Sequence, residues 1–213
     1  WRASVGAAPI AAEFRFGFDD AEHAAAEVEV PGGVIRFLGS ADKVDVAGDT
    51  VYITDIKTGS ADNFRRIAPK RGTPNRTVDG TKLQLPVYAK AALAAVEGAE
   101  RAAAQYWFVN GKSAGERVNL DLTDDLDQHF SHVVGSLVSG VARGHFFKKT
   151  SKDPGFLWVD CEYCTPGGAG HESTRTAYLA KRRHADLLPL LDVIDPDAAN
   201  EIRDAQAREE AHD

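Results

Sequence analysis

The chain predicts an α/β or α+β domain, with strands first and helices packed around them. Three observations carry this. Polar and apolar residues alternate through the early chain, an apolar stripe of helical period occupies residues 123 to 143, and Gly- and Pro-containing turns separate the segments. Of 213 residues, 43% are hydrophobic, enough for a core, which excludes a disordered chain.

The elements follow in order. Glu13-Phe14-Arg15-Phe16-Gly17-Phe18 alternates like a half-buried strand, and Gly33 to Gly39 forms a second strand after the Pro31-Gly32 turn. From Ser40 to Thr58, two short alternating runs flank Gly48-Asp49, a two-residue loop suited to a tight hairpin. Residues 60 to 80 lack periodicity and read as a loop. A helix starts near Leu83 and runs to about Glu97, with Pro86 tolerated in its first turn. Ala104 to Asn110 reads as a strand, and Gly111 leads to a weaker one over Arg117 to Leu120. Leu126, Phe130, Val133, Val134, Leu137, Val138 and Val141 make residues 123 to 143 an amphipathic helix. Two polar helices are expected to close the chain, the last and acidic one near residues 197 to 211. The expected division is a domain over 1–190 and an acidic helical tail over 191–213.

Composition narrows the function classes. Two cysteines cannot build a disulfide framework, and no apolar run approaches the roughly 20 residues that span a bilayer. With no basic and apolar leader, the expectation is an intracellular, cytoplasmic enzyme or module with no membrane partner. The absence of any methionine points to a piece of a longer protein. A net charge of −7 argues at first against nucleic acid.

The hairpin carries the chemistry. With Gly48-Asp49 as its loop, Val46 faces Val51, Val44 faces Ile53, and Asp42 faces Asp55. One face then holds Val44, Val46, Val51 and Ile53 and ends in Asp42, Asp55 and Lys57; the other holds Lys43, Asp45, Tyr52 and Thr54. Directly opposed residues have Cβ atoms about 5 Å apart, so two carboxylates can share one cation. Like charges that close raise a carboxyl pKa unless Lys57 or a metal neutralises them. Oxygen donors of this kind suit Mg²⁺ or Mn²⁺. The plainer alternative is a salt-bridge cluster at a surface rim.

Three ordered segments, Gly39-Ser40-Ala41-Asp42-Lys43-Val44-Asp45, Asp55-Ile56-Lys57-Thr58-Gly59 and Gln84-Leu85-Pro86-Val87-Tyr88-Ala89, resemble the PD-(D/E)XK nuclease superfamily. The match is to the RecB-like exonuclease domains of helicase–nuclease proteins. The resemblance implies a restriction-endonuclease-like mixed β-sheet flanked by helices, and a Mg²⁺-dependent or Mn²⁺-dependent deoxyribonuclease. It implies that Asp42, Asp55 and the carbonyl of Ile56 bind metal and that Lys57 is the catalytic lysine. Gln84 and Tyr88, one helical turn apart, would orient the site and contact the strand. Similar domains add a His or Glu ligand from an upstream helix. None is visible before Glu13, which is a possible stand-in, whereas His23 reads as incidental. Many relatives also bind a [4Fe–4S] cluster through four cysteines. Cys161 and Cys164 have the spacing of an iron–sulfur or zinc pair, but no later cysteine follows, so no cluster is expected from this chain alone. His171 and His184 complete a zinc set only by chance.

Charge is unevenly spread. Arg65, Arg66, Lys70, Arg71, Arg76 and Lys82 crowd the loop after Lys57, with Asp62 and Asp79 the nearby acids, and a phosphate backbone can run over this stretch. Phe146, Phe147, Lys148, Lys149 and Lys152 suggest a second contact that stacks unpaired bases. His129 and His132 read as packing or surface residues. The leading reading is a metal-dependent DNA exonuclease domain of a repair or recombination system, acting on single-stranded DNA beside a helicase domain or subunit. The alternatives are a non-catalytic DNA-binding or scaffold module on the same fold, and a Cas4-like stand-alone nuclease.

Overall fold

A computed structural model of the chain describes residues 6–146 and 171–210. Seven strands and five helices are present among them: β1 (Ala8–Phe16), β2 (Ala26–Val30), β3 (Gly33–Phe37), β4 (Gly39–Ala47), β5 (Thr50–Lys57), α1 (Gln84–Ala95), β6 (Arg101–Phe108), β7 (Arg117–Asp121), α2 (Asp124–Ala142), α3 (His171–Lys181), α4 (Leu188–Ile194) and α5 (Pro196–Glu210). They divide into two compact units, residues 1–135 and 136–213. No helix of the described residues is long and apolar enough to cross a membrane.

The first unit is built on a mixed five-stranded sheet in the order β1-β4-β5-β6-β7, as expected of a sheet flanked by helices. Its neighbours are antiparallel except β5 and β6, which run parallel. A parallel pair needs a crossover, and α1 supplies it, packing back on β5 and β6. The hairpin register is the expected one, with Val44 opposite Ile53, Val46 opposite Val51 and Ala47 opposite Thr50. Gly48 takes φ 59° while Asp49 stays out of the left-handed region, the pattern of a type II′ turn with Gly at its first central position. Arg101 Nη2 holds Asp49 Oδ1 at 2.6 Å and ties the turn to the start of β6.

Val44, Val51 and Ile53 are fully buried with Tyr106, Phe108, Phe16, Leu126 and Phe130 in one core. Each such side chain contributes about 1.5–3 kcal/mol relative to exposure. The second unit has its own cluster, in which Leu187, Leu191, Ala198, Ala199 and Ile202 join α4 to α5. There Tyr178 donates to Asp195 Oδ2 at 2.5 Å, which satisfies a carboxylate only 1% exposed.

Several expectations need correction. The expected strand over Gly33 to Gly39 does not join the hairpin's sheet: β3 pairs only with β2 in a separate ribbon, and β4 enters the main sheet. β1 reaches back to Ala8, and β6 begins at Arg101 because Ala102, Ala103 and Ala104 pair along β5 despite their low strand propensity. Three helices, not two, follow residue 170 among the described residues. The hairpin face opposite the valines is covered as well, with Asp45 and Thr54 0% and 2% exposed. Their polar groups are met locally: Lys43 pairs with Asp45, and Gln105 Nε2 donates to Thr54 Oγ1 at 2.8 Å.

Candidate active site

The site lies where β4 and β5 pass the end of their ladder. Pairing stops at Lys43 opposite Thr54, one step short of Asp42 and Asp55. The Ile56 amide, just past Asp55, donates to Asp42 Oδ2 at 2.6 Å, which fixes that carboxylate against β5. The two acids are not equivalent. Asp42 is exposed, whereas Asp55 is 4% exposed. Burial, the largest cause, raises the Asp55 carboxyl above its ordinary value of 3.8; Lys57 opposes that shift and Asp42 adds to it.

Lys57 Nζ lies 2.7 Å from Asp55 Oδ2 as an ion pair. Apart from this ammonium, no donor reaches that buried oxygen among the described residues. The same ammonium donates to Gln84 Oε1 at 3.0 Å, and Gln84 Nε2 donates to Tyr88 OH at 2.8 Å. Gln84 opens α1 and Tyr88 follows one turn later, so the helix aims both at the ends of the strands. Burial, with Asp55 and Asp42 nearby, pushes the Tyr88 phenol up, which keeps it a neutral hydrogen-bonding group.

Gly39, quoted in the first motif without a role, has one here. A Cβ at Gly39 would sit 3.0 Å from Phe16 Cζ and 3.3 Å from Tyr88 Cε1, while the Phe16 and Tyr88 rings meet edge-on at 5.8 Å. Glycine thus lets β4 pass close under the ring that orders Gln84. Gly39→Ala is expected to cost about 1–3 kcal/mol, read as a lower urea midpoint at unchanged slope. Tyr106 was missed as a site residue. It pairs in register with Asp55, is 1% exposed and lies under the Lys57 ammonium at 5.2 Å. Its only sequence signal was a place in an aromatic strand.

The basic loop is more neutralised than its sequence suggests. Arg65 grips Glu116 at 2.7 and 2.8 Å and also pairs with Asp62. Arg66 pairs with Asp79 at 3.0 Å, Arg76 with Asp125 at 2.6 Å, and Lys82 Nζ sits 4.3 Å over the Phe64 ring. Glu116 and Asp125 are distant in sequence, so Asp62 and Asp79 are not the only acids there. Lys70 and Arg71 remain exposed and outside any ion pair among the described residues. The loop is also ordered by its own contacts, with Ile67, Thr77 and Val78 buried and Asn75 bonded twice to Asp79.

His23 stacks on Phe14 at 4.3 Å, a packing role, and His129 Nε2 lies 3.4 Å from Thr77 Oγ1. Glu13 is exposed on β1. No group of three or more His, Cys, Asp and Glu side chains converges to hold a metal among the described residues, so Glu13 does not complete the pair of aspartates. Phe146 is 68% exposed. Cys161, Cys164, Phe147, Lys148, Lys149 and Lys152, with the side chain of His171, lie outside the described residues, and His184 is exposed.

Two carboxylates, one of them buried with its Oδ2 met by Lys57 alone, fit a hard cation that prefers oxygen, though they do not complete its shell. Beside them an ammonium held by an amide oxygen can stabilise negative charge developing on a phosphoryl group.

Comparison with known proteins agrees with this chemistry. A search of the curated proteins found no match. Among solved structures, the crystal structure of SSO0001 is 16% identical over 65% of this chain, with a TM-score of 0.34. The match covers 52% of that chain, so it spans about half its length. The family profile of the PD-(D/E)XK nuclease superfamily, in contrast, matches residues 1–166, which include both aspartates, Lys57, Gln84 and Tyr88. This chain belongs to the PD-(D/E)XK nuclease superfamily.

Proposed function

We propose that the chain is a divalent-metal-dependent deoxyribonuclease domain of RecB-like exonuclease type, working on single-stranded DNA within a helicase–nuclease system of repair or recombination. The observation that carries this reading is the buried Asp55, whose Oδ2 meets no donor but Lys57, a lysine that also donates to Gln84. A structural ion pair has no need for a carboxylate whose burial works against its charge.

Asp42, Asp55 and the Ile56 carbonyl hold Mg²⁺ or Mn²⁺ in this reading. A cation bound there would supply the Lewis-acid charge that phosphodiester hydrolysis needs. Lys57 stabilises the charge that develops on the phosphate during attack, and Gln84 keeps its ammonium pointed there. Tyr88 holds Gln84 in turn. Lys70 and Arg71 offer cations for the DNA backbone without breaking an existing pair, while Arg65, Arg66 and Arg76 must exchange a carboxylate for a phosphate. Residues 1–190 form the nuclease domain and 191–213 its acidic tail in this account.

A second reading, a non-catalytic DNA-binding module, is favoured by one observation: no third acidic or imidazole ligand joins Asp42 and Asp55 among the described residues. Calorimetric titration with Mg²⁺ and Mn²⁺, alongside binding of single- and double-stranded DNA, separates the two. The nuclease reading expects metal heat that is lost in Asp42→Asn and DNA binding that persists. DNA binding with no metal heat in the unaltered chain supports the module.

A further inference from the structure

Lys57 has three N–H donors, and the carboxylate of Asp55 and the amide oxygen of Gln84 occupy only two directions around its ammonium. The third neighbour is not an acceptor. The Tyr106 ring lies below, with Nζ 5.2 Å from its centroid. An ammonium 28% exposed at the side chain has lost much of its water, and an aromatic face can replace part of it without consuming a donor.

The ring is held independently of the lysine. Tyr106 is 1% exposed on β6, fixed by the parallel pairing of Asp55 with Tyr106 and of Lys57 with Phe108. The Phe64 ring packs edge-on against it at 4.7 Å and 69°. Asp55, Lys57 and Tyr106 therefore share one face of two adjacent strands. A ring so confined cannot tilt away when Lys57 turns toward a phosphate.

We propose that Tyr106 is a positioning residue whose ring face holds the Lys57 ammonium between Asp55 and Gln84, leaving one N–H free for the substrate phosphate. This rests on the nuclease reading for its consequence, but the contact itself does not require turnover. It assigns a role to the aromatic face of the ring rather than to its hydroxyl.

The test is a series at position 106 that keeps the ring's shape and changes its electrostatics. Tyr106→Phe is expected to hydrolyse single-stranded DNA within about threefold of the unaltered chain. Phenylalanines carrying one, two and three ring fluorines weaken the negative face stepwise. They are expected to lower kcat stepwise, on the order of tenfold across the series, with KM and the unfolding midpoint unchanged. A flat kcat across the series overturns the proposal, because a ring that merely fills the core is indifferent to fluorination. A readout without metal or turnover accompanies it. The ε-methylene protons of Lys57 are expected upfield of their exposed-lysine position in both the unaltered chain and Tyr106→Phe, and restored to it in Tyr106→Leu. An exposed-lysine shift in the unaltered chain overturns the proposal even if the chain cleaves DNA. A chain that shows the upfield shift yet cleaves no DNA instead contradicts the nuclease reading and leaves the lysine–ring contact supported.

Discussion

Asp55→Asn is expected to remove metal-dependent hydrolysis of DNA while leaving the metal-free protein at least as stable as the unaltered chain. The amide keeps the shape of a side chain that is 4% exposed, but it offers a cation a neutral oxygen in place of a carboxylate. Metal-supplied charge stabilisation is worth several kcal/mol, so kcat falls on the order of 10³-fold or more. Stability moves the other way because of pH linkage. Burial raises the Asp55 carboxyl above 3.8, so the folded chain keeps a proton that the unfolded chain has already released. The unfolded state then binds fewer protons than the folded one, and stability falls as pH rises from 3.8 through the raised value. In chelator at pH 8, Asp55→Asn is thus expected to melt no lower than the unaltered chain, and the difference shrinks toward pH 4. Thermal melts at the two pH values check the sign. A clear drop at pH 8 means that the pair with Lys57 outweighs the burial of the carboxylate.

Lys57→Met carries the second large effect. Methionine retains most of the aliphatic stem and its packing but has no charge. Losing one preorganised cation at the phosphate is expected to lower kcat about 10²–10³-fold. Binding of single-stranded DNA is expected within a few-fold of unaltered, since Lys70 and Arg71 remain exposed for the backbone. Asp55 then faces no cation, a loss on the order of 1–2 kcal/mol once discounted for the partial exposure of Lys57. That loss is expected to diminish as Asp55 protonates, so denaturant midpoints at pH 8 and pH 5 should differ more in Lys57→Met than in the unaltered chain. Filter binding and single-turnover kinetics separate the binding effect from the chemical one.

Much of the site was legible in the sequence because its parts are local. A two-residue loop at Gly48-Asp49 sets the hairpin register by counting outward, and that register places Asp42 near Asp55. Helical spacing puts Gln84 and Tyr88 on one face, and the motif resemblance points that face at the site. What the sequence did not carry depends on contacts between distant segments. The parallel pairing of β5 with β6 requires the α1 crossover, so nothing local places Tyr106 beside Asp55 and under Lys57. Likewise Glu116 is 51 positions from Arg65, and the ion pair that subdues the basic loop is invisible to a count of neighbouring acids. Which of the two aspartates is buried escaped for a related reason: alternation assigns both to one face but cannot tell where the ladder stops. Alternation put Asp45 and Thr54 on the face opposite the valines but could not show that both are buried, because it reports polarity rather than cover.

Digestion of end-labelled single-stranded DNA as Mg²⁺ is titrated, with the unaltered chain and Asp55→Asn side by side, addresses the central claim most directly. The account predicts product that rises with Mg²⁺, vanishes in chelator and is absent with Asp55→Asn at every concentration. Undiminished cleavage by Asp55→Asn, or cleavage that persists in chelator, would contradict it.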